Sequence, residues 1–426
     1  MGHGDMSEFA EELRRLMTAK HMGVRELARQ VPCNPGHVSQ LRNGQKRPSP
    51  QIAKRLDDVL GAGGRLAEIA ASFDARPGPA ERGTAGAVDD AVELIELTRR
   101  IERSDVGPGT VDALDMVTDR LCREYPTVAA PVLRDRARKY LRCTLRLLDR
   151  RKTLRQHRDL LVNAGWLAAL LACVYYDAGQ PVSAEAARRM THQLGEQAGH
   201  SELAGWAFEI AAWFALVEGR FTDTVTLCEA GLARAGVCNA GVQLTLQASR
   251  AYARMGDSRA VEMLKAGQEM LRRVPEPAHA EHHFVFDRDK YEFYTATIYT
   301  WLGTDDAAAV ENAREVVARC YGPGGVVRWP TRLSTTLVNL GQIAGRRGDL
   351  DEAVGLGTAA LQCGRRSAEL LPRAAELECH LTARYPNEQL VSEFGEALHE
   401  QFRALPPDDA QWLDDVVQRR ISAASS

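Results

Sequence analysis

Residues 24–49 read VRELARQVPCNPGHVSQLRNGQKRPS, and this stretch predicts two short helices joined by a tight turn. Leu27 belongs to the apolar face of the first helix. We expect that helix to end before Pro32, because a proline disfavours helical backbone at the residue that precedes it. Asn34 followed by Pro35 is typical of a helix cap and a first helical position, so a second helix is predicted to begin there.

The second helix of this stretch is predicted to bury Val38 and Leu41 and to stop at Gly44, where a glycine can adopt the left-handed backbone that ends a helix. A helix with one apolar face is predicted over residues 7–20, and a fourth helix follows the basic loop. We therefore expect a compact domain of four to five helices over residues 1–73.

Basic residues are concentrated in this domain. The whole chain carries a net charge of −3, yet residues 20–55 contain eight Lys and Arg against one acid, Glu26. Such a local excess is the electrostatic pattern of a surface that faces phosphates.

The same stretch resembles the lambda-repressor-like (XRE) helix-turn-helix family. The resemblance rests on the apolar, turn and loop positions Leu27, Ala28, Val38, Leu41, Gly44 and Arg47-Pro48-Ser49. It implies that the second helix of the motif enters the major groove of double-stranded DNA. The protein would then be a transcriptional regulator.

The resemblance also implies which residues contact DNA. His37 and Gln40 would read base edges, and Gln40 has the amide that pairs with adenine. The full predicted set is Arg25, Asn34, His37, Ser39, Gln40, Asn43, Lys46 and Arg47. Pro35 and Gly36 depart from the family, because neither side chain can donate to a base, and this favours few direct base contacts.

Residues 74–87 are rich in Pro, Gly and Ala and predict a flexible linker. Residues 88–426 have helical composition and almost no strand-like alternation, beginning with a helix near 88–101. Five helix pairs are predicted around the turn glycines Gly179, Gly219, Gly256, Gly303 and Gly348. Seven residues before each glycine stands a small residue, which would let two helices approach closely: Ala172, Ala212, Ser249, Ala296 and Gly341.

These pairs resemble tetratricopeptide (TPR) repeats, although their spacing exceeds the usual repeat of about 34 residues, so a non-repetitive helical bundle remains an alternative. The fold prediction is an all-α chain, a helix-turn-helix domain followed by a TPR-like α-solenoid. The order of domains, with 47 Arg against 7 Lys, resembles TPR-containing XRE regulators of high-GC bacteria. Peptide-sensing regulators share that order, which implies a peptide or small-molecule ligand.

The solenoid register predicts a concave groove, because the first helix of each pair lines that side. The predicted ligand-binding residues are Trp166, Tyr176, Trp206, Glu209, Trp213, Gln243, Arg250, Lys290, Phe293, Trp301, Gln342 and Arg346. Aromatic area with a few polar groups suits a peptide or an amphipathic small molecule.

No catalytic residue, cofactor or metal site is expected. Signatures of hydrolases, kinases and dinucleotide-binding enzymes are missing, and the nine cysteines are dispersed. His279, His282 and His283 lie in a polar insertion that favours a solvated loop over a metal site. No membrane association is expected, and a cytoplasmic protein that works at the nucleoid is predicted.

Two functions compete. The first is a ligand-responsive regulator that binds DNA as a homodimer, because two half-sites multiply the affinity of one small domain. The alternative is an interaction scaffold, in which the TPR-like array binds a partner protein and the helix-turn-helix domain only localises it. Pro35 and Gly36 favour the scaffold, whereas the basic charge of residues 20–55 favours the regulator.

Overall fold

A computed structural model describes residues 3–31, 33–72, 105–363, 367–405 and 407–424 of this chain. These residues form twenty α-helices and no strand, which confirms the all-α prediction. The chain divides into two compact units, residues 1–86 and 87–426. The predicted linker at 74–87 and the helix predicted near 88–101 lie outside the described residues.

The first unit is a bundle of five helices. They are α1 (His3–Ala19), α2 (Val24–Gln30), α3 (Pro35–Arg42), α4 (Pro50–Leu60) and α5 (Arg65–Ser72). Phe9, Leu13 and Leu27 form its core together with Val38 and Leu56, all at most 1% exposed. The predicted apolar faces of the first four helices therefore meet in one hydrophobic cluster.

Polar groups fix the ends of the bundle's helices. Ser49 caps α4 by accepting a hydrogen bond from the backbone N–H of Ile52 at 3.3 Å. The buried carboxylate of Asp57 accepts the backbone N–H groups of Gly64 and Ala67 at 3.0 and 2.5 Å. Because the first N–H groups of a helix have no partner within it, Asp57 satisfies the start of α5.

The second unit contains fifteen helices in its described part. They are α6 (Pro108–Glu124), α7 (Ala130–Leu148), α8 (Leu154–Asp177), α9 (Pro181–Ala198), α10 (Ser201–Val217), α11 (Phe221–Ala235), α12 (Asn239–Arg254), α13 (Arg259–Leu271), α14 (Arg288–Leu302), α15 (Asp306–Arg319), α16 (Pro330–Arg347), α17 (Leu350–Leu361), α18 (Leu370–Arg384), α19 (Gln389–Arg403) and α20 (Pro407–Ala424). From α6 to α19, helices consecutive in the chain pack against each other, and α20 packs against α18.

The five predicted helix pairs are present. They are α8 with α9, α10 with α11, α12 with α13, α14 with α15 and α16 with α17. All five turn glycines have left-handed backbone, with φ between 64° and 91°. The small residues seven positions before them are buried in the helix contacts. In the third pair the contact is close enough for the Ser249 hydroxyl to donate to the carbonyl of Ala260 at 2.6 Å.

The C-terminal helices are attached by buried charges. Arg254 on α12 and Arg420 on α20 both pair with Glu376 on α18, at 2.7 and 2.9 Å. All three side chains are at most 10% exposed. Burial alone would raise the pKa of Glu376, but Arg420 and Arg254 outweigh burial and hold it at about 2. The carboxylate is therefore ionised and links three helices.

Helix α8 is long and apolar enough to cross a membrane by length and composition alone. Within the protein, however, 78% of its most apolar stretch is buried. Its apolar surface is thus covered by neighbouring helices, as in the core helix of a solenoid.

All nine cysteines are free thiols.

Candidate nucleic-acid interface and interior cavity

Helix α3 is oriented by its cap and by its buried side. The side-chain oxygen of Asn34 accepts the backbone N–H of Gly36 at 2.7 Å, which starts the helix where the sequence predicts. Val38 and Leu41 are 0% and 1% exposed and anchor the helix in the core. Because neighbouring helix positions point in different directions, this anchoring leaves Gln40 on the solvent side.

The predicted DNA-contacting residues lie on α2, on α3 and in adjacent loop positions. Six are exposed: Arg25, Asn34, Gln40, Asn43, Lys46 and Arg47. His37 and Ser39 are half-buried. Since the oxygen of Asn34 is used in the helix cap, its amide nitrogen is the group that remains available to a base or phosphate.

The charge state of His37 matters for its role. Partial burial and the nearby Lys46 lower the pKa of His37 below its usual value. The imidazole is therefore neutral at pH 7 and offers one donor and one acceptor, which suits a base edge better than a phosphate.

An interior cavity of about 140 Å³, partly open to solvent, lies within the second unit and is lined by first helices of successive pairs. Seven of the twelve predicted groove residues line it: Trp206, Glu209, Trp213, Gln243, Arg250, Lys290 and Phe293. They come from α10, α12 and α14. The helices of the middle pairs therefore bring the predicted positions together.

The other five predicted residues lie elsewhere. Trp166 packs against Phe284, Tyr176 stacks on Phe214, and Trp301 is surrounded by arginines. Arg346 pairs with Asp306. Gln342 is half-buried and does not line the cavity.

This division follows from helix geometry. The predicted residues that line the cavity stand 13, 10 or 6 positions before their turn glycine, and those 2 or 3 positions before it do not line the cavity. A separation of 11 residues corresponds to about 16 Å along a helix, so the latter positions lie beyond the end of the cavity. Gln342 stands 6 positions before Gly348, but the fifth pair contributes only residues at or near the start of its first helix. Trp166 has the right register but belongs to the first pair, outside the middle of the array.

The lining includes residues that repeat register did not identify. Thr335, Arg332 and Trp329 belong to α16 and the residue before it, and Thr335 stands 13 positions before Gly348. Strict application of the register would have found Thr335. Other lining residues come from the insertion and from the segment before α18, and no repeat signal marks these: Ala280, Glu281, His282, His283, Ser367 and Glu369.

A polar network covers one wall of the cavity. The amides of Gln243 and Gln247 both donate to Oε1 of Glu209, at 2.9 and 2.8 Å. Glu209 is only 5% exposed, and burial raises its pKa despite these bonds. Arg250 donates to both oxygens of Glu369 at 2.9 and 2.8 Å, which ties the segment before α18 to α12.

Some buried polar atoms of this wall lack a hydrogen-bond partner among the described residues. They are Nε1 of Trp206, Oε1 of Gln243 and Nε of Arg250. These side chains are 1%, 5% and 2% exposed. Leaving a buried polar group without a partner costs about 1–3 kcal/mol, so the wall is incompletely satisfied by the chain itself.

Two further cationic side chains line the cavity. The ammonium of Lys290 donates to the carbonyls of His283 and Val285, at 3.3 and 3.2 Å. Burial and the charge of Arg332 lower the pKa of Lys290 to about 8. The guanidinium of Arg332 lies over the ring of Trp329, 4.2 Å from its centre.

The three histidines of the insertion do not assemble a metal centre. Among the described residues no group of three or more His, Cys, Asp or Glu side chains is arranged to hold a metal ion. Burial lowers the pKa of His282 to about 4, so this imidazole is neutral. The rings of His283 and Tyr125 are tilted with their centres 3.9 Å apart, and the backbone N–H of His283 donates to the carbonyl of Cys122 on α6 at 3.1 Å. These contacts attach the insertion to the end of α6.

A family model for a helix-turn-helix domain matches residues 8–69. The match spans the five helices of the first unit, and it identifies that unit as a helix-turn-helix domain of the kind found in DNA-binding regulators. No curated protein matches the chain.

Proposed function

We propose that this protein is a sequence-specific transcriptional regulator of the XRE type, with a TPR-like array that binds a ligand and holds two chains together. The observation that carries the ligand part is the interior cavity, where buried polar atoms lack partners among the described residues. The helix-turn-helix match supports the DNA-binding part.

DNA binding is proposed to use the exposed side of α3. Gln40 and the neutral His37 would contact base edges, while Lys46 and Arg47 in the following loop would contact phosphates. Asn43, at the end of α3, would also contact a DNA phosphate and so help to position the protein on the duplex. Because α3 is short and Pro35 and Gly36 carry no donors, DNA shape and the spacing of two half-sites would supply much of the specificity.

Ligand binding is proposed to occur in the interior cavity. A ligand that supplied hydrogen bonds to Trp206 or Gln243 would remove the cost of leaving those groups unsatisfied. For the ligand to regulate DNA binding, it must bind two conformations of the dimer with different affinities. We propose a binding role alone for this cavity, with no catalysis and no cofactor.

The test is recovery of genomic DNA bound by the full-length protein, followed by binding measurements on the enriched sequence. Gln40→Ala should weaken binding to that sequence by about 1–3 kcal/mol while leaving the salt dependence unchanged. Arg47→Gln should weaken binding to all sequences and reduce the salt slope by about one. Gln362→Ala, an exposed position in the array, is the control. Recovered fragments without a shared motif would contradict the proposal.

The scaffold alternative is favoured by the exposed Pro35 and Gly36 at the start of α3. It predicts a stoichiometric protein partner in a pull-down from native lysate and no enriched DNA motif. A regulator predicts the motif, whether or not a protein partner is present. The two experiments together therefore separate the functions.

A further inference from the structure

We propose that the interior cavity binds a small aromatic carboxylate, whose charged group lies beside Lys290 and Arg332 and whose ring lies among the aromatic side chains of the cavity. This inference rests on the proposed ligand-binding function and names the chemical class of that ligand.

The first observation is a pair of cations without anionic partners. Within the described residues no carboxylate forms an ion pair with Lys290 or Arg332. The hydrogen bonds of Lys290 go to neutral carbonyls, and Arg332 lies on the ring of Trp329. Two like charges at one cavity repel each other, and a bound anion would relieve this repulsion.

The other charges of the lining do not remove this excess. Glu369 is committed to Arg250 and Arg373, at 2.8 and 3.5 Å. Glu281 is 40% exposed and lies 3.6 Å from His279. Glu209 is the remaining buried carboxylate of the lining, and its Oε1 is already held by two amides. Asp287 and Asp289 act on the two cations from a distance, but Asp287 accepts the backbone N–H of Lys290 and Asp289 pairs with Arg319. A negative charge on the ligand would therefore be a direct partner that these cations otherwise lack.

The second observation is size. Cavities of about 150 Å³ hold one benzene molecule, and this cavity has about 140 Å³. It therefore accommodates one ring with a short substituent. Of the two predicted ligand classes, a peptide or a small molecule, we propose the small molecule.

The third observation is the apolar part of the lining. Trp206, Trp213 and Phe293 line the cavity together with Tyr294 and Trp329. Aromatic rings attract a flat ring by edge-to-face and offset contacts. The indole N–H of Trp206 has no partner among the described residues and is a donor that a carboxylate oxygen accepts.

The test uses the full-length protein and two matched pairs of probes: benzoate with benzamide, and phenylacetate with phenylacetamide. Each pair shares a ring and differs in charge. Binding is measured by calorimetry and by the fluorescence of the cavity tryptophans. Carboxylates should bind roughly 10- to 100-fold more tightly than the amides, as expected for hydrogen bonds to a charged group. Equal affinities within a pair, or no carboxylate binding at about 1 mM, would overturn the inference.

Variants of the two cationic residues test where in the cavity the carboxylate of the ligand binds. Arg332→Gln and Lys290→Met should each reduce benzoate affinity by roughly 10-fold or more and leave benzamide affinity unchanged. Arg347→Gln removes an exposed positive charge from the same helix as Arg332 and should change neither affinity. Circular dichroism verifies folding, and Arg332→Lys, which keeps the charge, should retain part of the benzoate affinity. An Arg332→Gln variant that is folded and binds benzoate normally would refute this location.

Failure of this inference is distinguishable from failure of the proposed function. Native mass spectrometry of the purified protein reports any retained small molecule regardless of charge. A retained neutral molecule would keep the cavity as a ligand site and refute the carboxylate. The DNA-recovery experiment is independent of both results.

Discussion

Charged side chains in the interior and around the cavity differ in how completely the chain neutralises them. Glu376 has two arginine partners, and Arg250 has both oxygens of Glu369. Lys290, which is half-buried, donates hydrogen bonds to two carbonyls, and the carboxylates of Glu209 and Asp287 act on its charge only from a distance. A charge that is partly desolvated without a direct counter-ion lowers stability, and such residues concentrate at functional sites.

The titration of Lys290 predicts how ligand binding depends on pH. Its pKa is about 8, lowered first by burial and then by Arg332, while Glu209 and Asp287 act in the opposite direction. An anion needs the protonated ammonium, so benzoate affinity should change little between about pH 6 and pH 7. It should fall roughly tenfold between pH 7 and pH 9, as the free protein loses this proton. Calorimetry with benzoate measures the profile.

The matched comparison is Lys290→Met, which should bind benzoate more weakly and with no such decrease between pH 7 and pH 9. Benzamide binding to the unchanged protein should be independent of pH in this range. A flat benzoate profile for the unchanged protein would contradict the role given to this ammonium.

At the scale of elements, small residues determine how closely helices approach. Two glycines in α17 illustrate this, because they stand two positions apart in the same helix. A Cβ added at Gly357 would lie 2.8 Å from the ring of Phe394 on α19, whereas one added at Gly355 would meet nothing within 4 Å.

This contrast predicts opposite effects of the same substitution. Gly357→Ala should lower the free energy of unfolding by about 1–3 kcal/mol, because the core must move to accept the methyl group. Gly355→Ala should raise it by up to about 1 kcal/mol, since alanine favours helical backbone. Denaturant unfolding followed by circular dichroism measures both. Equal effects at the two positions would mean that α17 and α19 are not packed as described.

The attachment of the C-terminal helices depends on Glu376. Glu376→Gln leaves Arg254 and Arg420 buried without their carboxylate and should cost about 3–5 kcal/mol. Because the pKa of this group is about 2 against an ordinary value of 4.5, its contribution is complete above pH 4.5 and is lost as the pH falls towards 2. The substitution should therefore matter less at pH 2 than at pH 7.

Glu400→Gln, an exposed position on α19, is the control and should have little effect at either pH. Unfolding monitored at both pH values gives the comparison. A Glu376→Gln protein as stable as the unchanged protein at pH 7 would contradict the structural role of these buried pairs.

At the scale of the whole molecule, the proposed activities reside in different units. DNA binding belongs to residues 1–86, and the cavity belongs to residues 87–426. Gln40→Ala should therefore weaken specific DNA binding by about 1–3 kcal/mol and leave benzoate affinity unchanged. Arg332→Gln should weaken benzoate binding and leave DNA affinity in the absence of ligand unchanged. It should also remove any effect of benzoate on DNA affinity. Both are measured on full-length protein by DNA titration and calorimetry.

The two units differ in how far local sequence predicts them. The helix-turn-helix domain was predicted almost completely, because caps, turn glycines and helical periodicity are local signals. Asn34, Val38, Leu41 and Gly44 occupy the predicted structural positions. The five helix pairs were predicted for the same reason, while α20 was missed.

The cavity could be predicted only in part. Register along single helices identified seven of its lining residues, including Trp206 and Glu209, since these belong to one face of a first helix. Lys290 was among them, but its lack of a counter-ion was not visible. Arg332, Glu369 and His283 reach the cavity through contacts between distant segments, and sequence spacing carries no information about such contacts.

The sequence by itself thus determined the helices, their pairing and the helix-turn-helix domain, because these depend on residues close together in the chain. Tertiary structure decided which predicted groove residues share one cavity, how large that cavity is and which charges remain without partners. The physical reason is that burial and pairing depend on long-range packing. Glu369 meets Arg250 across 119 positions of sequence.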